Sequence, residues 1–326
     1  MIASKPKSEL NPCRSEVLSV RIFGTLRIRR GDICLDPQQL GGARTRQVLE
    51  ILLLHLGSPV SKESLIECLW AGHPPSGALN TLESYVCVLR RHIQPGRSKS
   101  GPILTTSGGY LLDRSQVDLD LTAFASARAA ADRAETDEKA YPLLCAAIEL
   151  ATEPLFGEGP LPEWAERERL SHETLMIQSR ILAAETASRL SRPEESVAWA
   201  TEALSGDRLS ERAWTILVME LERAGRTAEA LQAYERCRQV FRRELGCSPN
   251  PALIGAHARL LQKTSWCGGE LSNVFSALML VDEELRTATA KPSTAEPQLF
   301  TPRLHESVHE AVKAVDAFLR WALATA

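Results

Sequence analysis

Apolar residues recur at helical spacing between Ser76 and Ile93. They are Leu79, Leu82, Val86, Leu89 and Ile93, in steps of three, four, three and four residues. This spacing predicts one buried face of an α-helix. The opposite side of the helix carries Asn80, Thr81, Ser84, Cys87, Val88 and Arg91. Such a helix can pack into a domain while its outer edge enters a DNA major groove. The pattern alone is more typical of an ordinary amphipathic surface helix, so the surrounding elements decide between the two.

The residues before this helix predict a small sheet and two further helices. Apolar and polar residues alternate over three short runs separated by Gly24 and Gly31, which predicts an antiparallel sheet. The apolar residues of these runs are Leu18, Val20, Ile22, Leu26, Ile28, Ile33 and Leu35, with Arg27 and Arg29 on the other face. Helices are predicted from Thr45 to Leu56, and from Ser61, a good N-cap, to Trp70.

A hairpin is predicted after the third helix. Its strands are residues 103–106 and 110–112, and we expect Gly108 and Gly109 to supply the positive φ angles of a tight turn. A sheet, three helices and a terminal hairpin form the order of a winged-helix domain. In that fold the third helix enters the major groove and the hairpin reaches a neighbouring minor groove. Residues 117–121 are interpreted as a link to the rest of the chain.

Helical patterns continue through the rest of the chain. Seven helices are predicted, at 122–134, 138–151, 163–190, 193–204, 211–224, 228–245 and 252–263. The sequence beginning at Arg192 resembles the one beginning 34 residues later, which is the tetratricopeptide period. Gly225, Ala230, Tyr234 and Pro249 fit the small and aromatic positions of such a repeat. The expected fold is mainly α with a small α+β part, a winged-helix DNA-binding domain followed by an all-α tetratricopeptide-like domain.

Charge is distributed unevenly along the 326 residues. Residues 1–114 carry 15 Lys and Arg against 9 Asp and Glu, a net charge of +6. Residues 115–326 carry 23 against 32, a net charge of −9. This asymmetry indicates that only the front part meets a polyanion such as DNA.

Composition also bears on the compartment. No apolar run approaches the ~18 residues needed to span a bilayer, and residues 1–16 lack the apolar segment of a signal peptide. The eight cysteines are scattered and form no Cys-x-x-Cys pair, which is typical of a reduced, cytoplasmic protein. We therefore expect a cytoplasmic protein with no membrane partner and a disordered leader at residues 1–16.

Three segments together resemble the DNA-binding domain of the Streptomyces antibiotic regulatory protein family, a winged helix of the OmpR/PhoB type. They are LGGARTRQVLEILLLHLGSPVSKESLIECLW, NTLESYVCVLRR and ILTTSGGYLL, within residues 17–114. The resemblance implies DNA contacts from the third helix, a phosphate contact from Arg90, and contacts from the wing. The helix residues are Asn80, Thr81, Ser84, Val88 and Arg91, and the wing residues are Thr105, Thr106 and Ser107. Family members usually carry arginine at the position of Val88. Valine offers only apolar contact, for instance to a thymine methyl, so the half-site preference is expected to differ.

Residues 117–263 resemble the bacterial transcriptional activation domain of the same family. The segments are LPEWAERERL, GRTAEALQAYERCRQVFRRELGCSP and NPALIGAHARLLQ. The resemblance implies a sequence-specific transcriptional activator that binds double-stranded promoter DNA as a homodimer, on half-sites about 10–11 bp apart. It also implies recruitment of RNA polymerase, with the loop Trp70–Gly77 as the facing surface, and pathway-specific targets such as antibiotic biosynthesis genes. No cofactor and no enzymatic activity are expected.

Two other functions are open at this point. In the first, the protein is a tetratricopeptide-type interaction scaffold and its winged helix is purely structural. In the second, His305-Glu306-Ser307-Val308-His309 binds zinc as an H-E-x-x-H peptidase motif. No third ligand follows at the usual spacing, so we expect a solvated helix face instead.

The motif falls in residues 264–326, interpreted as a linker and a C-terminal amphipathic helix, with another helix predicted at Ser272–Thr287. The tail could pack on its own domain, on a second subunit or on another protein.

Overall fold

The computed structural model describes residues 17–35, 37–94 and 101–265. The predicted leader, residues 95–100 and the predicted tail with its H-E-x-x-H motif lie outside these residues. The chain divides into two compact units between Met176 and Ile177. The predicted domain boundaries remain predictions.

The described elements follow the predicted order. The strands are β1 (Leu18–Arg21), β2 (Arg27–Arg30), β3 (Ile33–Leu35), β4 (Pro59–Ser61), β5 (Ile103–Thr105), β6 (Gly109–Leu112) and β7 (Val117–Leu119). The helices are α1 (Ala43–Leu54), α2 (Lys62–Trp70), α3 (Ala78–Ile93), α4 (Asp120–Asp132), α5 (Asp137–Leu150), α6 (Glu163–Arg189), α7 (Pro193–Gly206), α8 (Glu211–Arg223), α9 (Thr227–Glu244) and α10 (Pro251–Ser265). Every helix predicted within the described residues is confirmed, with ends within two residues of the predicted ones, whereas the helices predicted at Ser272–Thr287 and in the C-terminal tail lie outside the described residues.

The first sheet contains the predicted antiparallel strands β1, β2 and β3, and a fourth strand that was not predicted. Its order is β3-β2-β1-β7, and β7 runs parallel to β1, with Leu18 opposite Val117 and Val20 opposite Leu119. The link predicted at 117–121 is therefore wrong, because Val117 and Leu119 point into the core as a short strand. Ile33 was predicted to be buried but is 55% exposed. It lies on the edge strand beside the turn at Gly31, where no further strand covers it.

The second sheet has the order β4-β6-β5 and forms the base of the wing. The sequence predicted no strand at residues 59–61, only an N-cap at Ser61. These residues pair with β6, with Val60 opposite Tyr110. Neither Gly108 nor Gly109 has a positive φ, so the predicted role of these glycines in the turn is wrong. Gly109 is needed for another reason, since a Cβ there would lie 1.9 Å from the carbonyl oxygen of Val60.

The start of α4 is anchored to the first sheet by a carboxylate. Asp120 accepts hydrogen bonds from the backbone N–H groups of Ile22 and Phe23 at 3.0–3.1 Å. Nearby, the buried ring of His172 from α6 lies between Phe23 and Phe124, with ring centroids 4.8 and 4.9 Å away. Sheet, α4 and the first half of α6 therefore share one aromatic core in the first unit.

The second unit is a tetratricopeptide-like stack. Helix α7 begins 34 residues before α9, as the repeat predicted. Small residues such as Ala200, Ala203 and Ala230 are fully buried where helices pack closely, and Tyr234 and Pro249 are buried as expected. Gly225 has φ +73° and ends the turn between α8 and α9. These contacts confirm the predicted fold class.

The close approach at Gly109 generates a prediction about the wing. Gly109→Ala should lower the free energy of unfolding by about 1–3 kcal/mol, because the added methyl group forces β6 away from β4. Gly108→Ala is the matched control, since no atom lies within 4 Å of its Cβ position. Urea unfolding followed by circular dichroism measures both variants. Equal stability of the two would contradict the packing argument.

A half-buried carboxyl group and a buried imidazole of the first unit generate a prediction about pH. Burial raises the pKa of Glu50 to about 7, with Arg46 opposing the shift. Burial lowers the pKa of His172 to about 4. A raised carboxyl pKa removes stability as pH rises from 4.5 to 7, and a lowered histidine pKa removes stability as pH falls from 6.5 to 4. The two contributions oppose each other, so their sum should change little between about pH 4.5 and 6.5.

Replacing either titratable side chain should reveal how the other makes stability depend on pH. Glu50→Gln should lose roughly 2–3 kcal/mol of stability on acidification across this window, because the contribution of His172 is then no longer offset. His172→Leu should gain a similar amount over the same change. Urea titrations at three pH values measure the slopes, and parallel pH profiles for all three proteins would contradict the assignment.

Candidate nucleic-acid interface

Helix α3 presents a continuous exposed stripe opposite its buried face. The buried residues are Ala78, Leu82, Val86, Leu89 and Ile93. Leu79 was predicted to be among them but is 47% exposed. At 100° per residue it lies ~60° from the middle of the buried stripe and on the first turn, so Ala78 takes its place. Asn80, Ser84 and Arg91 are exposed, whereas Thr81 and Val88 are half-buried at the side of the stripe.

Two hydroxyl groups on this helix have a fixed orientation. Thr81 Oγ1 donates to the carbonyl of Gly77 at 3.0 Å, and Ser84 Oγ donates to the carbonyl of Asn80 at 2.9 Å. Their protons are used within the helix, so the oxygens face outward as acceptors. The Asn80 and Arg91 side chains have no partner in the described part of the chain. They remain available as hydrogen-bonding groups for a ligand.

Arg90 joins α3 to the wing. Its Nε and Nη2 donate to the carbonyl of Ile103 at 3.2 and 3.1 Å, and Nη2 also donates to Thr105 Oγ1 at 2.7 Å. The guanidinium carbon lies 5.8 Å from the ring centroid of Tyr110. Because these bonds use only one edge of the planar group, Nη1 retains two N–H donors. The sequence indicated a phosphate contact here but gave no sign of this tether.

Two other basic residues shape the surface around α3. Arg30 Nη1 donates to the carbonyls of His92 and Gln94 at 3.4 and 3.1 Å, which satisfies the C-terminal end of the helix. Lys62 Nζ lies 2.7 Å from Glu83 Oε1. Glu83 is the only acidic residue in the α3 sequence, so this ion pair offsets the one charge that would repel a phosphate. Sequence analysis missed both contacts, since they join residues far apart along the chain.

The wing tip is exposed and lies at the end of the Arg90 tether. Thr105 and Ser107 are exposed and Thr106 is half-buried. The backbone N–H of Thr106 donates to the carbonyl of Gly109 at 3.0 Å, which closes the turn. The structure therefore brings the predicted wing residues close to α3 through Thr105, while Ser107 extends beyond the sheet.

The loop between α2 and α3 forms a separate exposed surface. Residues 71–77 are all exposed, and Ala71 has φ +48° where α2 ends. Beside the loop, the guanidinium of Arg44 lies 5.1 Å from the Trp70 ring, and Trp70 stacks on Tyr85 with ring centroids 6.5 Å apart. This stack fixes the end of α2 against α3.

Other kinds of site were sought among the described residues. No group of three or more His, Cys, Asp and Glu side chains there could hold a metal ion. No helix in the same part of the chain is both long enough and apolar enough to cross a bilayer.

Comparisons with known proteins agree with this geometry. Residues 40–112 match the family model "Transcriptional regulatory protein, C terminal", and residues 119–261 match "Bacterial transcriptional activator domain". EmbR of Mycobacterium tuberculosis, solved in complex with a low affinity phosphopeptide, superposes with a TM-score of 0.64 at 23% identity. That match covers 81% of this chain and 71% of the EmbR chain, and it supports the fold alone.

Two regulators from Streptomyces are similar in sequence. AfsR of Streptomyces griseus is 29% identical over 254 residues, which cover 77% of this chain but only 25% of AfsR. The chain thus spans about a quarter of the length of that relative. DnrI of Streptomyces peucetius is 30% identical over 227 residues, which cover 64% of this chain and 80% of DnrI. With this coverage of DnrI, and with both family models matched in order, the chain belongs to the Streptomyces antibiotic regulatory protein family of transcriptional regulators.

Proposed function

We propose that the protein is a sequence-specific DNA-binding transcriptional activator that inserts α3 into the major groove. The observation that carries this proposal is the exposed stripe of Asn80, Ser84 and Arg91 along a helix whose only acid is paired with Lys62. A major groove about 12 Å wide admits one α-helix, and each base pair presents a distinct donor and acceptor pattern there.

The residues of α3 have different proposed roles. Asn80 and Arg91 are exposed and long enough to hydrogen-bond base edges or phosphates. Thr81 and Ser84 serve as acceptors, because their hydroxyl protons are already donated to helix carbonyls. Val88 contacts a thymine methyl group, so the preferred base at this position differs from that of relatives with arginine.

The wing has a supporting role in this proposal. Arg90 fixes the wing relative to α3 and directs its remaining N–H groups toward a phosphate. Thr105, Thr106 and Ser107 then contact the backbone of the adjacent minor groove. The tether makes the spacing between the two contact regions a fixed property of the domain.

Activation requires further contacts, which we propose from the family. The protein binds promoter half-sites about one helical turn apart as a homodimer, and it recruits RNA polymerase through the exposed loop Trp70–Gly77. The stack of Arg44, Trp70 and Tyr85 supports this role, because it holds the base of the loop rigid. The proposed targets are pathway-specific genes, such as those of antibiotic biosynthesis. The proposed compartment of the protein is the cytoplasm.

The exposed position of Arg91 generates the first prediction. Arg91→Ala should weaken operator binding by roughly 5- to 150-fold, the equivalent of about 1–3 kcal/mol, without changing the fold. Arg29→Ala is the matched control, because Arg29 is equally exposed but lies on the first sheet. A gel-shift titration measures both affinities. If both variants bind like wild type, Arg91 is not in the interface.

Salt dependence generates the second prediction. The logarithm of the affinity for duplex DNA should fall linearly with the logarithm of salt concentration, with a slope of about −0.9 per neutralised phosphate. Fluorescence anisotropy from about 50 to about 200 mM salt, with operator and random duplexes, measures this slope. A protein that binds neither duplex at low salt would instead act as an interaction scaffold.

A further inference from the structure

A groove in the second unit has an apolar floor and no assigned ligand. It has a volume of about 440 Å³ and lies between α7 and α9, over the first half of α8. Its apolar lining residues are Leu204, Trp214, Leu217 and Val240. The indole N–H of Trp214 donates to the carbonyl of Arg208 at 2.9 Å, so its polar group is satisfied within the protein. The floor is therefore suited to apolar side chains.

Three arginines surround this groove without an acidic partner. Arg208, Arg236 and Arg243 line it and are exposed, and none forms an ion pair within the described residues. Most other arginines of this unit pair with a glutamate, and these are Arg180, Arg192, Arg212, Arg223, Arg226, Arg238 and Arg259. Glu244 also lines the groove, so its charged residues leave a net positive charge. The groove thus favours an acidic occupant with an apolar face.

One segment of the same chain has this chemistry. Leu271, Val274, Leu278, Val281 and Leu285 follow in steps of three, four, three and four residues, which predicts an apolar stripe along a helix. Phe275, Met279 and Leu280 add apolar surface outside this stripe. Asp282, Glu283 and Glu284 lie between the last two of these residues. On a helix, Asp282 and Glu284 would flank the apolar face on its two sides. Arginines likewise stand on both walls of the groove, Arg208 after α7 and the other two on α9.

The connection from α10 is long enough for this segment to reach the groove. Arg259 and Lys263 of α10 contact Glu222 at 2.7 and 3.2 Å, which places the end of α10 beside the end of α8. Leu217 in the groove is five residues from Glu222, or ~8 Å along the axis of α8. The linker between Ser265 and Leu271, residues 266–270, can span up to about 20 Å. The axial separation and the ~10–12 Å diameter of one intervening helix are roughly perpendicular, so the straight distance of about 14 Å lies within this reach.

We propose that residues 271–285 bind in the groove between α7 and α9. The apolar face covers Leu204, Trp214 and Leu217, and the acidic residues pair with the arginines at the mouth. This contact closes an otherwise exposed apolar surface of the second unit. It does not depend on the proposed DNA contacts, since all of its described residues lie outside the winged helix.

Hydrogen exchange of the full-length protein, read by mass spectrometry, tests this proposal. In wild type, amides of residues 271–285 should exchange at least about tenfold more slowly than an unprotected chain. Arg236→Glu combined with Arg243→Glu should remove this protection, because the acidic residues are then repelled. Arg242→Glu is the matched control, since Arg242 is exposed on the same helix but does not line the groove. It should leave the protection unchanged.

A charge-swap variant makes the test specific. Adding Asp282→Lys and Glu284→Lys to the double arginine variant should restore the slow exchange. Unchanged exchange in α8 shows that the second unit remains folded in every variant. Fast exchange of 271–285 in wild type would overturn the proposal, as would protection that the arginine changes leave intact. Protection that disappears on dilution would assign the groove to a second copy and overturn the intramolecular contact.

Discussion

The arrangement of the first unit depends on how α3 is held. One side of this helix is buried by Leu82, Val86 and Leu89, so its rotation about its own axis is fixed by the core. Two arginines fix the C-terminal end of α3 and its position relative to the wing, which the core leaves unfixed. Arg30 binds the carbonyls at its C-terminal end, and Arg90 binds the carbonyl of Ile103 in the wing. Because the outer stripe is defined by exclusion from the core, its geometry is set before any ligand arrives.

Three polar side chains of the first unit are partly or fully buried, and their burial affects stability. Asp120 bonds two backbone N–H groups of the first sheet, and burial raises its pKa despite those bonds. Glu50 and His172 are each held in an environment that disfavours their charged forms. Such groups cost stability individually. Because Glu50 is an acid and His172 a base, the cost of the carboxyl falls on the alkaline side and the cost of the imidazole on the acidic side.

Much of the fold was predictable because local patterns dominate in helices. Apolar spacing located the helices of the described residues within two residues, and the 34-residue offset located the repeat. The failures involve residues whose role depends on distant partners. The pairing of Val117 with Leu18, the contact between Gly109 and Val60, and the bond from Arg90 to Ile103 join segments that no local pattern relates. The prediction for Leu79 was wrong for a different reason: it lies ~60° from the middle of the buried stripe, and Ala78 is buried on the first turn instead.

The pairing of β4 with β6 has a consequence for how such proteins diversify. The base of the wing is joined to the start of α2 by Val60 and by the bond from the N–H of Lys62 to the carbonyl of Gly108, at 3.0 Å. Substitutions at this base would disturb the core, whereas a substitution of the exposed Ser107 at the tip would not. The side chain at the tip can therefore change while the pairing of β4 with β6 keeps the hairpin in place.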